Sequence, residues 1–246
     1  MSKPQLRIMI TGGAGGIAEA VLQQLGARFA GAVGLIDIDA DGLDRLQAEH
    51  MNEDLSVIPF ALDLREREAL QSAVEEFSHH HGGLDILFAN AGVMTGAGPF
   101  EVEDPDAIDR SVDLNFRAVA ASVQIAWPHL SQGGGQVIVN ASGAGLNPLP
   151  SDVIYSASKA AAIMFARASA LRAPETGIRF NVVCPGVVDT PILNDSRTGK
   201  WRDEVHGFAE HFELIQPAEI ADAVLGLISN GEANGEVLDI RNRRKT

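Results

Sequence analysis

The chain has 246 residues, 46% of them hydrophobic, and a formal net charge of −14. That length suits one α/β domain with a core that needs no staples, and so acidic a balance argues against a general nucleic-acid binder, whose affinity rests on neutralising phosphates. No apolar run approaches the roughly 20 residues of a membrane span, no signal segment opens the chain, and Cys184, the only cysteine, allows no intrachain disulfide; a cytoplasmic location with no membrane partner is the expectation.

The elements predicted in chain order alternate strand and helix. A strand "LRIMIT" leads through "TGGAGGIA" into a helix over 16–30. The strand "AVGLIDI" and a helix over 39–52 follow, the latter carrying Leu43, Leu46 and Ala48 among acidic residues. Next come "LSVIPFALDL" and a helix over 65–81 with Ala69, Leu70, Ala73, Val74 and Phe77 on one face. "LDILFANAG", a long helix over 105–130, "QVIVNAS" and an alanine-rich helix over 153–173 continue the pattern. "RFNVVCPG", a helix over 216–229 and "GEVLDI" complete it. Most strands are unbroken apolar runs, as in a parallel sheet covered on both faces. The expected fold is α/β: a doubly wound, seven-stranded parallel sheet with helices on both faces, in a single domain over 1–246.

Only the stretch from Thr190 to about residue 213 breaks the alternation. It holds charges, Trp201, His206 and His211 without a clean period, and is expected to be a substrate loop. His206 and His211 are weighed as substrate contacts. His79, His80 and His81 are consecutive and cannot easily share one ion, so no metal site is expected. Trp127 and Pro128 read as packing at a helix end. The basic tail Arg241–Lys245 reads as solvated, with a role in subunit contacts or substrate binding as the alternative. Cys184 reads as a small buried hydrophobe.

The glycine turn follows a strand and opens a helix, the context in which glycines admit a pyrophosphate to the backbone and the helix N-terminus meets its charge. Three registers fit it: Gly13, Gly15 and Ala18; Gly12, Gly15 and Ala18; Gly12, Gly16 and Ala18. Asp37 ends the second strand about 20 residues beyond the turn, where a carboxylate binds the adenosine ribose hydroxyls and repels a 2′-phosphate. No Arg or Lys offsets it in the turn or at Ile38, so the expected cofactor is NAD.

Tyr155 and Lys159, four apart in "YSASK", share a helix face. A phenol near pKa 10 is a poor acid or base at neutral pH; a neighbouring ammonium and an oxidised nicotinamide favour its phenolate. Ser142 ends the fifth strand, thirteen residues before Tyr155, and can hold a substrate oxygen beside the phenol. Asn115 stands inside a helix, where asparagine is unfavourable without a reason. Asp63, Asn90–Gly92 and Pro185–Thr190 all follow strands, at the sheet edge where ligands of such folds bind.

This ordered set resembles the short-chain dehydrogenase/reductase family, in its subgroup of about 250 residues with a Rossmann-like fold, from Thr11 to about Ile240. Thr11, Gly12, Gly16 and Ile17 match its glycine turn, with Ala18 in place of glycine. Asn90, Ala91 and Gly92 match its N-N-A-G, with Ala89 departing, and Pro185, Gly186 and Thr190 its P-G-x-x-x-T. Asn115, Ser142, Tyr155 and Lys159 fall on its catalytic positions. The likeness selects the register Gly12, Gly16 and Ala18, with Gly13 and Gly15 as spacers and Ala18 as the small residue that lets helix and strand approach.

The resemblance implies Tyr155 as acid/base, Ser142 as the group that positions the reacting oxygen, and Lys159 as the ligand of the nicotinamide ribose. It implies that Asn115 helps hold a water linking Lys159 to solvent. Cofactor contacts are expected from Gly12, Gly15, Gly16, Ile17, Asp37, Ile38, Asp63, Leu64, Asn90, Ala91, Gly92, Tyr155, Lys159, Pro185, Gly186, Val188 and Thr190, with Asp63 and Leu64 flanking the adenine. Ala144, Leu146, Leu149, Val187, Ile192 and Leu193 are expected around the substrate, an alcohol or ketone. A homo-oligomer, tetramer or dimer, is implied through the two long helices. The expected activity is NAD-dependent interconversion of a secondary alcohol and a ketone. Two alternatives stand beside it: a non-catalytic NAD-binding regulator or scaffold, and a sugar-nucleotide epimerase or dehydratase of the extended branch, which would need a larger C-terminal domain.

Overall fold

A computed structural model describes residues 3–95, 100–131, 134–190 and 199–245. Strand β1 (Gln5–Thr11) leads into α1 (Gly16–Arg28), β2 (Ala30–Asp37) into α2 (Ala40–His50), and β3 (Leu55–Ala61) into α3 (Arg67–His81). Beyond β4 (Ile86–Ala89), α4 (Pro105–Val112) and α5 (Ala118–Ser131) are joined by a π-turn, Asp113–Arg117. Then come β5 (Gln136–Asn140), α6 (Val153–Ala170), the short α7 (Ala173–Thr176) and β6 (Arg179–Pro185). Helices α8 (Gly199–His211) and α9 (Pro217–Ser229) precede β7 (Val237–Ile240).

The seven strands lie in the order β3-β2-β1-β4-β5-β6-β7, and every pair is parallel. Successive residues of a strand point to opposite faces, so both faces need apolar residues. Ile8 and Ile10 pack with α1, α2 and α9, whereas Met9 packs on the α3, α5 and α6 side. Pro59 sits in β3, an edge strand, where a missing N–H is tolerated. Phe77, Phe88 and Phe180 are fully buried, each stabilising the layers by about 1.5–3 kcal/mol. The order reverses between β1 and β4, and a crevice opens at their carboxyl ends.

The structure departs from the sequence reading in three places. Within the segment expected to be an irregular loop, Gly199–His211 is a helix. Its spacing Val205, Phe208, Phe212 is helical (i, i+3, i+7), but exposed His206, Gly207 and Glu210 obscure the stripe. The tail is not simply solvated: Lys245 N–H donates to the His211 carbonyl at 2.9 Å, and Phe212 bridges Arg244. Gly13 is no spacer, because a Cβ there would lie 2.9 Å from Leu35 Cβ and its N–H donates to the Ile36 carbonyl at 2.9 Å. Ala18, by contrast, is fully buried against the sheet, as a small residue at that position should be.

Candidate active site

A cleft of about 750 Å³ lies at the carboxyl ends of the strands. The glycine turn forms one end. Gly12 has φ +66°, and a Cβ on it would come within 2.8 Å of Ala91 Cα, so only glycine fits. Gly15 N-caps α1 without a side-chain hydrogen bond, leaving the helix N-terminus open beside Gly16 and Ile17, which line the cleft. Such an end attracts phosphate oxygens. Asp37 borders the same end; its Oδ2 accepts from Ala14 N–H at 3.1 Å and its Oδ1 from Asp39 N–H at 3.1 Å. These bonds fix the carboxylate while each oxygen keeps acceptor capacity. A glycine cradle, a free helix start and an oriented carboxylate fit a dinucleotide's pyrophosphate and ribose.

The cleft floor is a lattice of hydrogen bonds between strand ends. Thr11 Oγ1 accepts from the N–H groups of Asn90 (3.1 Å) and Ala91 (3.2 Å). Asn90 Nδ2 donates to the carbonyls of Thr11 and Gly12, each at 3.1 Å, and Asn140 Nδ2 donates to Asn90 Oδ1 at 2.9 Å. Three strands are thereby locked in register around the crevice. Gly92 completes the floor, since a Cβ there would lie 2.8 Å from Lys159 Nζ and 2.9 Å from Asn115 Oδ1.

Asn115 is completely buried in the π-turn and does not line the cleft. Its Oδ1 accepts from Val93 N–H and its Nδ2 donates to the Val93 carbonyl, both at 2.8 Å; Nδ2 also reaches Ser111 and Ser158 Oγ at 3.0 Å. This answers why an asparagine interrupts a helix: it splints the loop after β4. A π-turn is itself a frequent mark of a functional site.

Helix α6 carries Tyr155 and Lys159. Asp152 N-caps it, accepting from Tyr155 N–H at 2.9 Å, and also accepts from Thr95 N–H at 3.0 Å, so the cap ties α6 to the segment after β4. Sequence reading missed Asp152, although an aspartate just before an apolar helical run is a start signal. Ser142 Oγ accepts from Ala144 N–H at 3.1 Å and acts on the Tyr155 phenol, favouring its ionised form. With a lone pair held by Ala144, the serine proton is free to point at an oxygen on the tyrosine side. Burial raises the Tyr155 pKa above the ordinary 10.0, Ser142 working against it and Asp152 with it. Lys159 is 4% exposed; its Nζ donates to the Asn140 carbonyl at 3.0 Å and lies 5.7 Å from the centre of the Tyr155 ring. Burial lowers Lys159 to about 8, so it can exchange a proton near neutrality. At Tyr155, burial thus outweighs the Ser142 influence that favours the phenolate.

Of the remaining expected residues, Pro185, Gly186, Val188 and Thr190 line the cleft, as do Ala144, Leu149 and Val187. Ile38 is 72% exposed, and it, Leu146, Asp63 and Leu64 do not line it. Leu64 is buried in the core, and Asp63 is held below its ordinary carboxylate range by the hydrogen-bonded Arg65 guanidinium. Ile192, Leu193 and the Trp201 side chain lie outside the described residues. His206 and His211 are exposed on α8, while Val205, Phe208 and Phe212 face the cleft instead. Cys184 is buried and its thiol is pushed up to about 11, an unreactive state. Among the described residues no helix is long and apolar enough to cross a membrane.

Comparison with known proteins agrees with this geometry. The family model for short chain dehydrogenase matches residues 7–201. The chain is 28% identical to the 15-hydroxyprostaglandin dehydrogenase [NAD(+)] of Mus musculus, covering 94% of this chain and 88% of that one. It is 31% identical to the 4-formylbenzenesulfonate dehydrogenase of Comamonas testosteroni, covering 94% of each. A crystal structure of 3-ketoacyl-(acyl-carrier-protein) reductase from Brucella melitensis complexed with NADH superposes with a TM-score of 0.85, at 25% identity and 97% coverage of both chains.

Proposed function

The chain belongs to the short-chain dehydrogenase family, and on that premise we propose that it is an NAD-dependent oxidoreductase interconverting a secondary alcohol and a ketone. The observation that carries this reading is the convergence of Ser142, Tyr155 and the buried Lys159 on one cleft that Asp37, with its carboxylate oriented, also lines. When bound, the nicotinamide supplies the hydride acceptor or donor.

Everything else is the work of this chain. Gly12, Gly16 and the start of α1 hold the pyrophosphate; Asp37 takes the adenosine ribose and disfavours a 2′-phosphate. Arg45 and Arg65 are each engaged by acidic partners, Glu19 and Glu49 for the first and Asp63 for the second, which supports NAD over NADP. Ser142 donates to the substrate oxygen and fixes it beside the Tyr155 hydroxyl. In alcohol oxidation the Tyr155 oxygen takes the hydroxyl proton; in ketone reduction it returns one to the carbonyl oxygen. Lys159 stabilises the phenolate and, with a pKa of about 8, can take up the released proton and hand it to solvent water. The homo-oligomer rests on the family likeness. The test is a spectrophotometric screen of cyclic, aryl and aliphatic secondary alcohols, diols, sterols and polyols with NAD and NADP in parallel. Turnover with NAD is expected, and preference for NADP would overturn the role given to Asp37.

A further inference from the structure

The residues after β7 close the outer end of the cleft. Gly186 N–H donates to the Ile240 carbonyl at 2.8 Å. Asn242 then uses its whole amide: Oδ1 accepts from Val187 N–H at 2.8 Å, and Nδ2 donates to the carbonyls of Val187 at 2.8 Å and Glu213 at 2.9 Å. Ile215 N–H donates to the same Val187 carbonyl at 3.0 Å. Beyond it, Glu213 N–H donates to the Arg243 carbonyl at 2.9 Å, and Lys245 Nζ reaches the Ala209 carbonyl at 2.6 Å. The tail therefore touches two walls at once. One is Val187, next to Val188 in the cleft lining; the other is the last turns of α8, which present Phe208 and Phe212 to the same space. The fit leaves no slack, since a side chain at Gly186 would collide with Asn242 Oδ1.

We infer that Asn242 is a positioning residue, and that Asn242–Lys245 form a clasp setting the separation of Val187 from α8. The clasp rests on the reading above only in giving this end of the cleft to nicotinamide and substrate. An amide suits the task because it offers an acceptor and two donors in one plane. Aspartate would keep the Val187 N–H bond and lose both donors, and leucine would lose all three. The adenosine end, at Asp37 and Gly12, makes none of these contacts.

The clasp is tested in the ligand-free full-length protein by hydrogen exchange. In Asn242→Leu, amides of residues 205–215 should exchange at least about 10-fold faster, while those of 86–92 and 136–142 keep wild-type protection. Lys245→Ala, which removes only the outermost bond, should give a smaller acceleration confined to α8, and it decides the matter should Asn242→Leu fail to fold. Titration with NADH and with ADP-ribose, which lacks the nicotinamide, supplies the second arm. Asn242→Leu should bind NADH about 10-fold more weakly and ADP-ribose unchanged, a split that general destabilisation would not give. Unaltered exchange at 205–215, or NADH and ADP-ribose affinities that fall together or both hold, would overturn the proposal. Wild-type protein that binds neither nucleotide would instead overturn the cofactor reading, with the exchange data still deciding the clasp.

Discussion

The floor and the outer wall of the cleft are built by opposite means. The floor, at the ends of β1, β4 and β5, is polar and cross-linked: Thr11, Asn90, Asn140 and Lys159 spend their side chains on neighbouring strands. The wall, from α8, is apolar: Val205 packs with Met94, Leu149, Val187 and Leu214 in a cluster separate from the two core layers, and Phe208 stacks on Phe212 at 4.6 Å. Buried polar groups demand particular partners, whereas apolar contacts accept any side chain of suitable volume. On the proposed function, chemistry resides in the floor and substrate choice in the wall.

Substitutions in the two regions should accordingly fail differently. The largest effect belongs to Tyr155→Phe, which removes the only acid/base oxygen on α6 yet keeps the ring. Turnover should fall about 10³-fold or more while NADH affinity, read by fluorescence titration, stays close to wild type. Retained turnover would place the chemistry elsewhere. Lys159→Met comes next, with turnover down about 10²-fold or more but the cofactor-free protein more stable at pH 7, by about 2 kcal/mol once the lost bond to Asn140 is allowed for. The sign follows from burial. Folded Lys159 releases its proton near 8 and the unfolded side chain near 10.5, so the unfolded state binds more protons across that window. The lysine destabilises most below pH 8, and the advantage of Lys159→Met should shrink toward pH 10.5; denaturant melts of both proteins across pH check this.

Gly92→Ala should lower turnover by about 10–100-fold, because its Cβ would displace Lys159 Nζ and Asn115 Oδ1 from the floor. Phe212→Ala, in the wall, should give the smallest change. A KM raised about 10-fold for the best alcohol of the screen, with kcat nearly unchanged, is the expected split. A large fall in kcat with KM unmoved would erase the distinction between floor and wall.

That same distinction governs what was legible in the sequence. Strands announced themselves because both faces of the sheet are covered, making unbroken apolar runs. Asn90 and Lys159 were legible because the lattice fixes residue type and spacing together, and Ser142 and Tyr155 because a strand end and a helix start bring them to one cleft. Gly13 was misread because its constraint comes from Leu35 and Ile36, across the sheet rather than along the turn. The basic residues of the tail are exposed, as read, but its anchoring was not legible, because backbone bonds to His211 and Glu213 carry no sequence signal and a lone Asn242 does not announce its partners. Asp63 and Leu64, expected beside the adenine, lie outside the cleft lining, one paired with Arg65 and the other packed in the core. The stripe Val205, Phe208 and Phe212 was present, but too short to stand out from the exposed residues between them.

The most direct test uses the fact that Tyr155 is the only tyrosine in the chain. Near-ultraviolet phenolate absorbance therefore titrates this one group. Without cofactor the phenol should ionise above the ordinary 10.0, because burial is the largest influence on it. Saturating NAD, whose nicotinamide ring is cationic, should move the transition to lower pH, and NADH should not. A free phenol that ionises at or below the ordinary value would contradict only the dominance of burial, whereas one that NAD leaves unmoved would contradict the assignment of Tyr155 as the acid/base.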